Sequence, residues 1–151
     1  MTQEQKELLL KDLCGRLPYG VEIQIIEWAT LDTTLKTGHI ARLLNNDAAL
    51  KQIKPYLFPL SSMTEEQKKY VTDRWGINEN FDFEIDPDWG KYFVKLNDAL
   101  DFINWCYENH LDINGLILKD LAIDAIGLNI YKEEWLVGYK VFLIIFRILN
   151  V

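Results

Sequence analysis

Two histidines and two cysteines are the only side chains in this 151-residue sequence suited to activating a nucleophile near neutral pH. No G-x-S-x-G elbow and no papain-type cysteine signature occurs, which removes the commonest hydrolase layouts. Glycines are few and isolated, so neither a P-loop nor a dinucleotide fingerprint exists. The two cysteines, Cys14 and Cys106, are far apart in sequence and build no disulfide framework. Basic residues are scattered and outnumbered, 16 against 23 acidic, giving a formal net charge of -7. Nucleic-acid binders neutralise phosphates with a basic patch, so direct binding to nucleic acid is not expected. Anionic membrane surfaces are disfavoured for the same reason. The start of the sequence, MTQEQKELLLKDL, lacks the charged and then apolar layout of a signal peptide, and a cytoplasmic setting is the expectation.

What is present is ordinary globular material. Apolar residues make up 49% and charged residues 26%, enough apolar surface to offset chain entropy. Five Trp, seven Tyr and seven Phe add large burial per side chain. The length fits one compact domain over 1–151, or two small lobes, 1–60 and 61–151, sharing a core.

Local signals sketch an α+β fold. Thr2 and Gln5 form a capping box ahead of a helix whose apolar stripe is Leu9, Leu13 and Leu17, with Leu10 and Cys14 beside it. Gly15 weakens that helix near its end, and Pro18-Tyr19-Gly20 stops it. Val21, Ile23 and Ile25 alternate with Glu22 and Gln24, the period of a half-buried strand. Thr30 to Lys36 continues as strand, Thr37-Gly38 as a turn and His39 to Leu44 as a third strand. The expected small antiparallel sheet therefore spans about 21–44. Mostly helices follow. Asp47 caps AALKQIKPYL, with Pro55 near its end. Thr64 and Gln67 box TEEQKKYVTDRW, which stops at Gly76. ALDFINWCYENH presents Leu100, Ile103, Cys106 and Tyr107 on one face, and LILKDLAIDAIG is a last short helix ending at Gly127.

Cys106 and His110, four apart on one expected helix, are the candidate catalytic pair, with Asp112 just beyond. The simpler reading is a core cysteine and a histidine at a helix C-terminus. Structural zinc needs four ligands, and no third and fourth have suitable spacing. Neither a metal nor a cofactor is expected. The acidic run around Asp82, Glu84, Asp86 and Asp88 departs from the calcium-loop pattern, with Pro87 and Phe93 where glycine and glutamate belong. It reads as a solvated acidic face, with docking of a basic partner or weak cation binding as the alternatives. In IKPYLFPL, Tyr56 and Leu57 are assigned to the core and Phe58 to a contact surface.

Three segments, LLLKDLCGRLPYGV (8–21), IKPYLFPLSSMTEEQKKY (53–70) and DALDFINWCYENHLDINGLILKDLAIDA (98–125), together resemble a family of small uncharacterised proteins from the genomes, prophages and mobile elements of gut anaerobes. The resemblance implies a cytoplasmic bacterial or phage-related setting and no activity. Phe58 departs from it, standing where the family has a basic residue, and so does the apolar ending after about Gly127.

The functional expectation is a non-enzymatic protein-interaction module with an unknown protein partner. The alternatives are an enzyme using Cys106 and His110 or a small-ligand binder. The segment Trp135 to Val151 is apolar but shorter than the ~20 residues of a membrane helix, and Lys140 and Arg147 interrupt it. Residues 135–149 are therefore expected to be buried against the chain's own core or a second copy, which would make the protein a homo-oligomer through this segment. Helix and strand both suit it.

Overall fold

A computed structural model describes residues 1–26, 30–77 and 96–131. The acidic run of Asp82, Glu84, Asp86 and Asp88, and the apolar ending from Trp135, lie outside them. Within the described residues the fold is α+β, a mixed sheet backed by helices.

Helix α1 (Gln3–Arg16) starts where expected, with the Thr2 hydroxyl accepting the Gln5 amide and the Gln5 side chain accepting the Thr2 amide. A short 3-10 turn and Gly20, at φ 65°, redirect the chain into the sheet. Strands β1 (Glu22–Ile26) and β2 (Thr30–Thr34) pair antiparallel, as their alternation requires.

The third strand is elsewhere than expected. Thr37–Asn45 is helix α2, with Ile40 and Leu43 buried at helical spacing. The His39 ring folds back so that Nδ1 accepts the Lys36 amide, 3.0 Å, which caps the helix start. Asn46 caps α3 (Asp47–Leu50), one turn long, and the remainder of the expected helix is strand β3 (Ile53–Leu57). Pro55 thus lies inside a strand. Its tolerance follows from register: Ile26 donates to the Gln52 carbonyl, so the alternating ladder makes Ile23/Pro55 a non-hydrogen-bonded pair that needs no Pro55 amide. Ile53, Pro55 and Leu57 alternate onto the core face, a pattern hidden by the helix formers Ala48 to Gln52 just before it.

Helix α4 (Glu65–Trp75) carries the Thr64/Gln67 capping box and ends at Gly76, φ 65°, both as the sequence indicates. Helix α5 (Leu96–Glu108) buries Cys106 and Tyr107, half-buries Ile103 and leaves Leu100 exposed, so the apolar face is rotated from the expected one. Residues 116–127 are not a helix. Both Asp112 carboxylate oxygens accept amides, from Leu116 and Ile117 at 2.8 Å, and fix a turn. Positive φ at Asp120 and Gly127 interrupts the run further, and β4 (Ile123–Asp124) pairs parallel to β3. The sheet order is β2-β1-β3-β4, mixed rather than antiparallel throughout.

Two buried clusters result. One joins α1, the core face of the sheet, α2 and α3, and draws in Leu116, Leu121 and Ala122 from far along the chain. The other lies between α4 and α5 around Met63, Val71, Ile77, Cys106 and Leu111. Tyr70, Trp75, Phe102 and Trp105 gather beside it with ring centroids 5.4–6.4 Å apart.

Between the clusters sits a fully buried ion pair. Arg16 Nε donates to Asp12 at 2.6 Å, and Arg16 Nη2 donates to Asp12 at 3.1 Å and to the Leu111 carbonyl at 2.8 Å. Asn114 donates to Asp12 at 2.8 Å. The guanidinium lies over the Tyr107 ring, 4.7 Å from its centroid. Gly15 is the clearance for that ring, since a Cβ there would overlap Tyr107 Cε2.

Two outcomes follow from this packing. Gly15→Ala is expected to lose up to about 2 kcal/mol net, because overpacking of about 1–3 kcal/mol outweighs the ~1 kcal/mol that alanine adds to a helix interior. A gain in stability by urea denaturation would show that the ring gives way. Asp12→Ala, which leaves a buried guanidinium uncompensated, is expected to lose about 3–5 kcal/mol. The Asp12→Leu/Arg16→Met double variant should lose distinctly less, and additive losses would contradict the coupling.

Candidate functional site

Cys106 and His110 do not share a helix face. Helix α5 ends at Glu108, and His110 lies past it at φ 48°, in the left-handed region. Cys106 is fully buried, and that burial pushes its thiol up to about 12, with Arg16 acting weakly in the opposite direction. The sulfur is therefore protonated at neutral pH, the form that is neither nucleophile nor metal ligand. Burial, and secondarily the Arg16 charge, pulls His110 down to about 4. It is neutral at pH 7, unlike the charged helix-terminal histidine expected from sequence. Asp112 holds its two backbone amides. Cys14, expected beside the apolar stripe of α1, is exposed. The other histidine, His39, is also pulled down, by partial burial and then by Lys36 and Arg42.

Phe58 stands at the centre of a more open feature. It continues β3 past Leu57: its amide donates to the His110 carbonyl at 2.9 Å, and its carbonyl accepts the Asp112 amide at 2.8 Å. Its ring tilts against Tyr131, with centroids 5.6 Å apart, and Tyr131 stacks in turn on His110 at 4.1 Å and 12°. The Tyr131 hydroxyl accepts the Glu22 amide at 3.2 Å and donates to the Tyr56 carbonyl at 2.6 Å. It sits where β1 and β3 would otherwise continue their ladder, so a phenol bridges two strands. Burial pushes that phenol up.

Phe58, Ala125, Gly127, Asn129, Ile130 and Tyr131 line a depression of about 310 Å³. Its wall is the turn after β4, where Asp124 accepts the Ile126 amide at 2.9 Å and Leu128 donates to the Ala125 carbonyl at 3.1 Å. Left-handed φ at Gly127 and Asn129 closes this turn. The same turn holds Ile126 and Leu128 in solvent, 55% and 47% exposed. Sequence reasoning placed Phe58 at a surface, whereas the structure half-buries it against the second cluster, and it missed Ile126, Leu128 and Tyr131. The signal available was the pair of apolar residues flanking Gly127, which a helix reading absorbed.

The outer face of the sheet is polar. Gln24 donates to the Tyr56 hydroxyl at 2.8 Å, which donates to Asp32 at 2.7 Å, and Thr34 donates to Glu22 at 2.6 Å. Tyr56 is buried as expected, and burial, followed by its bond to Asp32, raises its phenol. Among the described residues no group of three or more His, Cys, Asp or Glu could hold a metal ion, and no helix is long and apolar enough to cross a membrane.

No protein-family model, curated protein or solved structure matches the chain.

The two thiols should separate cleanly. In native buffer at about pH 8, a thiol reagent is expected to modify Cys14 alone, with Cys106 reacting only once denaturant is added. Rapid native labelling of Cys106, read by peptide mass spectrometry, would restore the catalytic pair.

His110 sets a pH window. Folded, it stays neutral down to about pH 4, whereas unfolded it takes up a proton near 6.5. The unfolded state thus binds more protons between those values. Stability is complete above about pH 6.5 and falls as pH drops toward 4. Between pH 7 and pH 5 the loss from this group is roughly 2 kcal/mol. His110→Asn, which tolerates the left-handed backbone, should flatten that part of the urea-denaturation profile. An unchanged slope would mean that other groups carry it.

Proposed function

We propose that this protein is a non-enzymatic interaction module that docks a partner protein on the depression bounded by Phe58, Ile130 and Tyr131 and on the turn beside it. The carrying observation is the exposure of Ile126 and Leu128, two large apolar side chains held out by a hydrogen-bonded turn next to that depression. Exposed apolar side chains beside a concavity are the usual composition of a docking surface. The net charge of -7 favours a partner segment with apolar anchors flanked by Lys or Arg. The protonated Cys106 and neutral His110 leave the competing catalytic reading without an activated nucleophile. An accessory role in a phage or mobile element rests on the resemblance of residues 8–21, 53–70 and 98–125.

The test pans a library of unstructured peptides on the parent protein and on an Ile126→Asp/Leu128→Asp double variant of matched stability. Enriched peptides should carry one or two large apolar residues flanked by basic ones, and the variant should lose them. Enrichment that survives the substitutions, or that selects acidic peptides, overturns the reading.

A further inference from the structure

A second surface, separate from the Phe58 depression, lies at the opposite edge of the sheet. Among the described residues strand β2 pairs only with β1 and forms the edge of the order β2-β1-β3-β4. Register determines which of its backbone groups are free. The Leu35 amide donates to the Val21 carbonyl at 2.8 Å, so 21/35 is a hydrogen-bonded pair. Such pairs alternate, which makes Ile23/Thr33 and Ile25/Leu31 the next two. The bond from Ile26 to Gln52 agrees, since it turns the even-numbered residues of β1 toward β3. Thr30, Asp32 and Thr34 therefore direct their amide and carbonyl groups away from the sheet.

An open edge of this kind templates another strand unless it is blunted by proline, lysine or a bulge. β2, Thr-Leu-Asp-Thr-Thr, has none of these. Thr30, Leu31 and Asp32 are exposed, and Leu31 is 58% exposed on the face that carries Ile23 and Ile25. The opposite face presents Asp32 at the edge, with Glu22 one strand in. Lys36 lies beyond the end of the strand.

We propose that β2 accepts an extended segment of a basic partner protein as a fifth strand. The alternating side chains of that segment would place Lys or Arg beside Asp32 and Glu22, and apolar residues over Leu31. Backbone pairing supplies the binding and the alternation supplies the selectivity. A second copy of this chain is the poorer occupant. Antiparallel self-pairing centred on the strand sets Asp32 against Asp32, and like charges directly opposite are destabilising.

The test uses the intact protein and a capped heptapeptide of alternating Lys and Val, with a Glu/Val peptide and a blocked Lys/Val sequence of the same composition as controls. Binding is followed by residue-resolved amide hydrogen exchange. The Thr30, Asp32 and Thr34 amides should exchange readily in the free protein and slow at saturation with the alternating basic peptide. Both controls should bind at least about tenfold more weakly. Asp32→Lys should reverse the preference toward the Glu/Val peptide. Thr30→Pro should weaken binding while preserving the melting temperature, because Thr30 opens the strand and directs its amide away from the sheet. Absence of saturable binding, protection located elsewhere, or equal affinity for all three peptides overturns the proposal. Protection that appears with protein concentration alone would assign the edge to self-association instead.

Discussion

The buried contact between Asp12 and Arg16 holds the two halves of the core in register. A guanidinium and a carboxylate removed from water cost several kcal/mol each, and only a nearly complete set of partners makes that tolerable. Here Asp12 receives Arg16 and Asn114, while Arg16 also reaches the Leu111 carbonyl and covers the Tyr107 ring. All the partners outside α1 come from the end of α5 and the loop that follows it. The position of that loop is thereby fixed to within hydrogen-bond tolerance, and with it His110, Asp112 and the bridge to Phe58. An apolar contact of similar area could slide; this one cannot without exposing a charge to an apolar interior.

Arg16 also shapes the chemistry around it. Its charge opposes the rise of the Cys106 thiol and adds to the lowering of His110, but in both cases burial is the larger influence. A buried cation beside a cysteine and a histidine looks on paper like the start of a catalytic site. Desolvation decides the matter, holding both groups in their neutral forms. Burial thus leaves the Cys106 and His110 pair without an ionised member at neutral pH.

Those parts of the fold written in adjacent residues were legible in the sequence. Thr2 with Gln5, Thr64 with Gln67, Gly76 as a left-handed stop, and the alternation that makes β1 all concern groups a few positions apart. Features set by distant partners were not. Ile53 to Leu57 is a strand because β1 stands ready to pair with it, although the residues before it favour helix. Residues 116–127 fail to be a helix because Asp112 captures two amides. The core ion pair had a faint signature: Leu9, Asp12, Leu13 and Arg16 fall on one helical face, which places two charges inside an apolar stripe. Gly15 shows the same limit, since a residue that reads locally as a helix weakener is needed for a ring 92 positions later. At the candidate site, Phe58 was legible as an apolar residue between prolines. Ile126, Leu128 and Tyr131 depend on a turn that no local pattern announced.

The Tyr131 hydroxyl between β1 and β3 bears on how the chain becomes protein on the ribosome. The Glu22 amide waits for an oxygen 109 residues downstream, and Arg16 and Asp12 wait for partners 95 and 102 residues away. Helix α1 and the β1–β2 hairpin emerge early, yet neither can satisfy its buried polar groups until much of the remaining polypeptide has been synthesised. Contacts of such long sequence separation form slowly, because the loop must close before they reward it. The nascent amino-terminal segment must therefore persist for much of translation with an uncovered apolar stripe, an open strand edge and a charge destined for the interior. This is the interval in which a holding chaperone has most to offer.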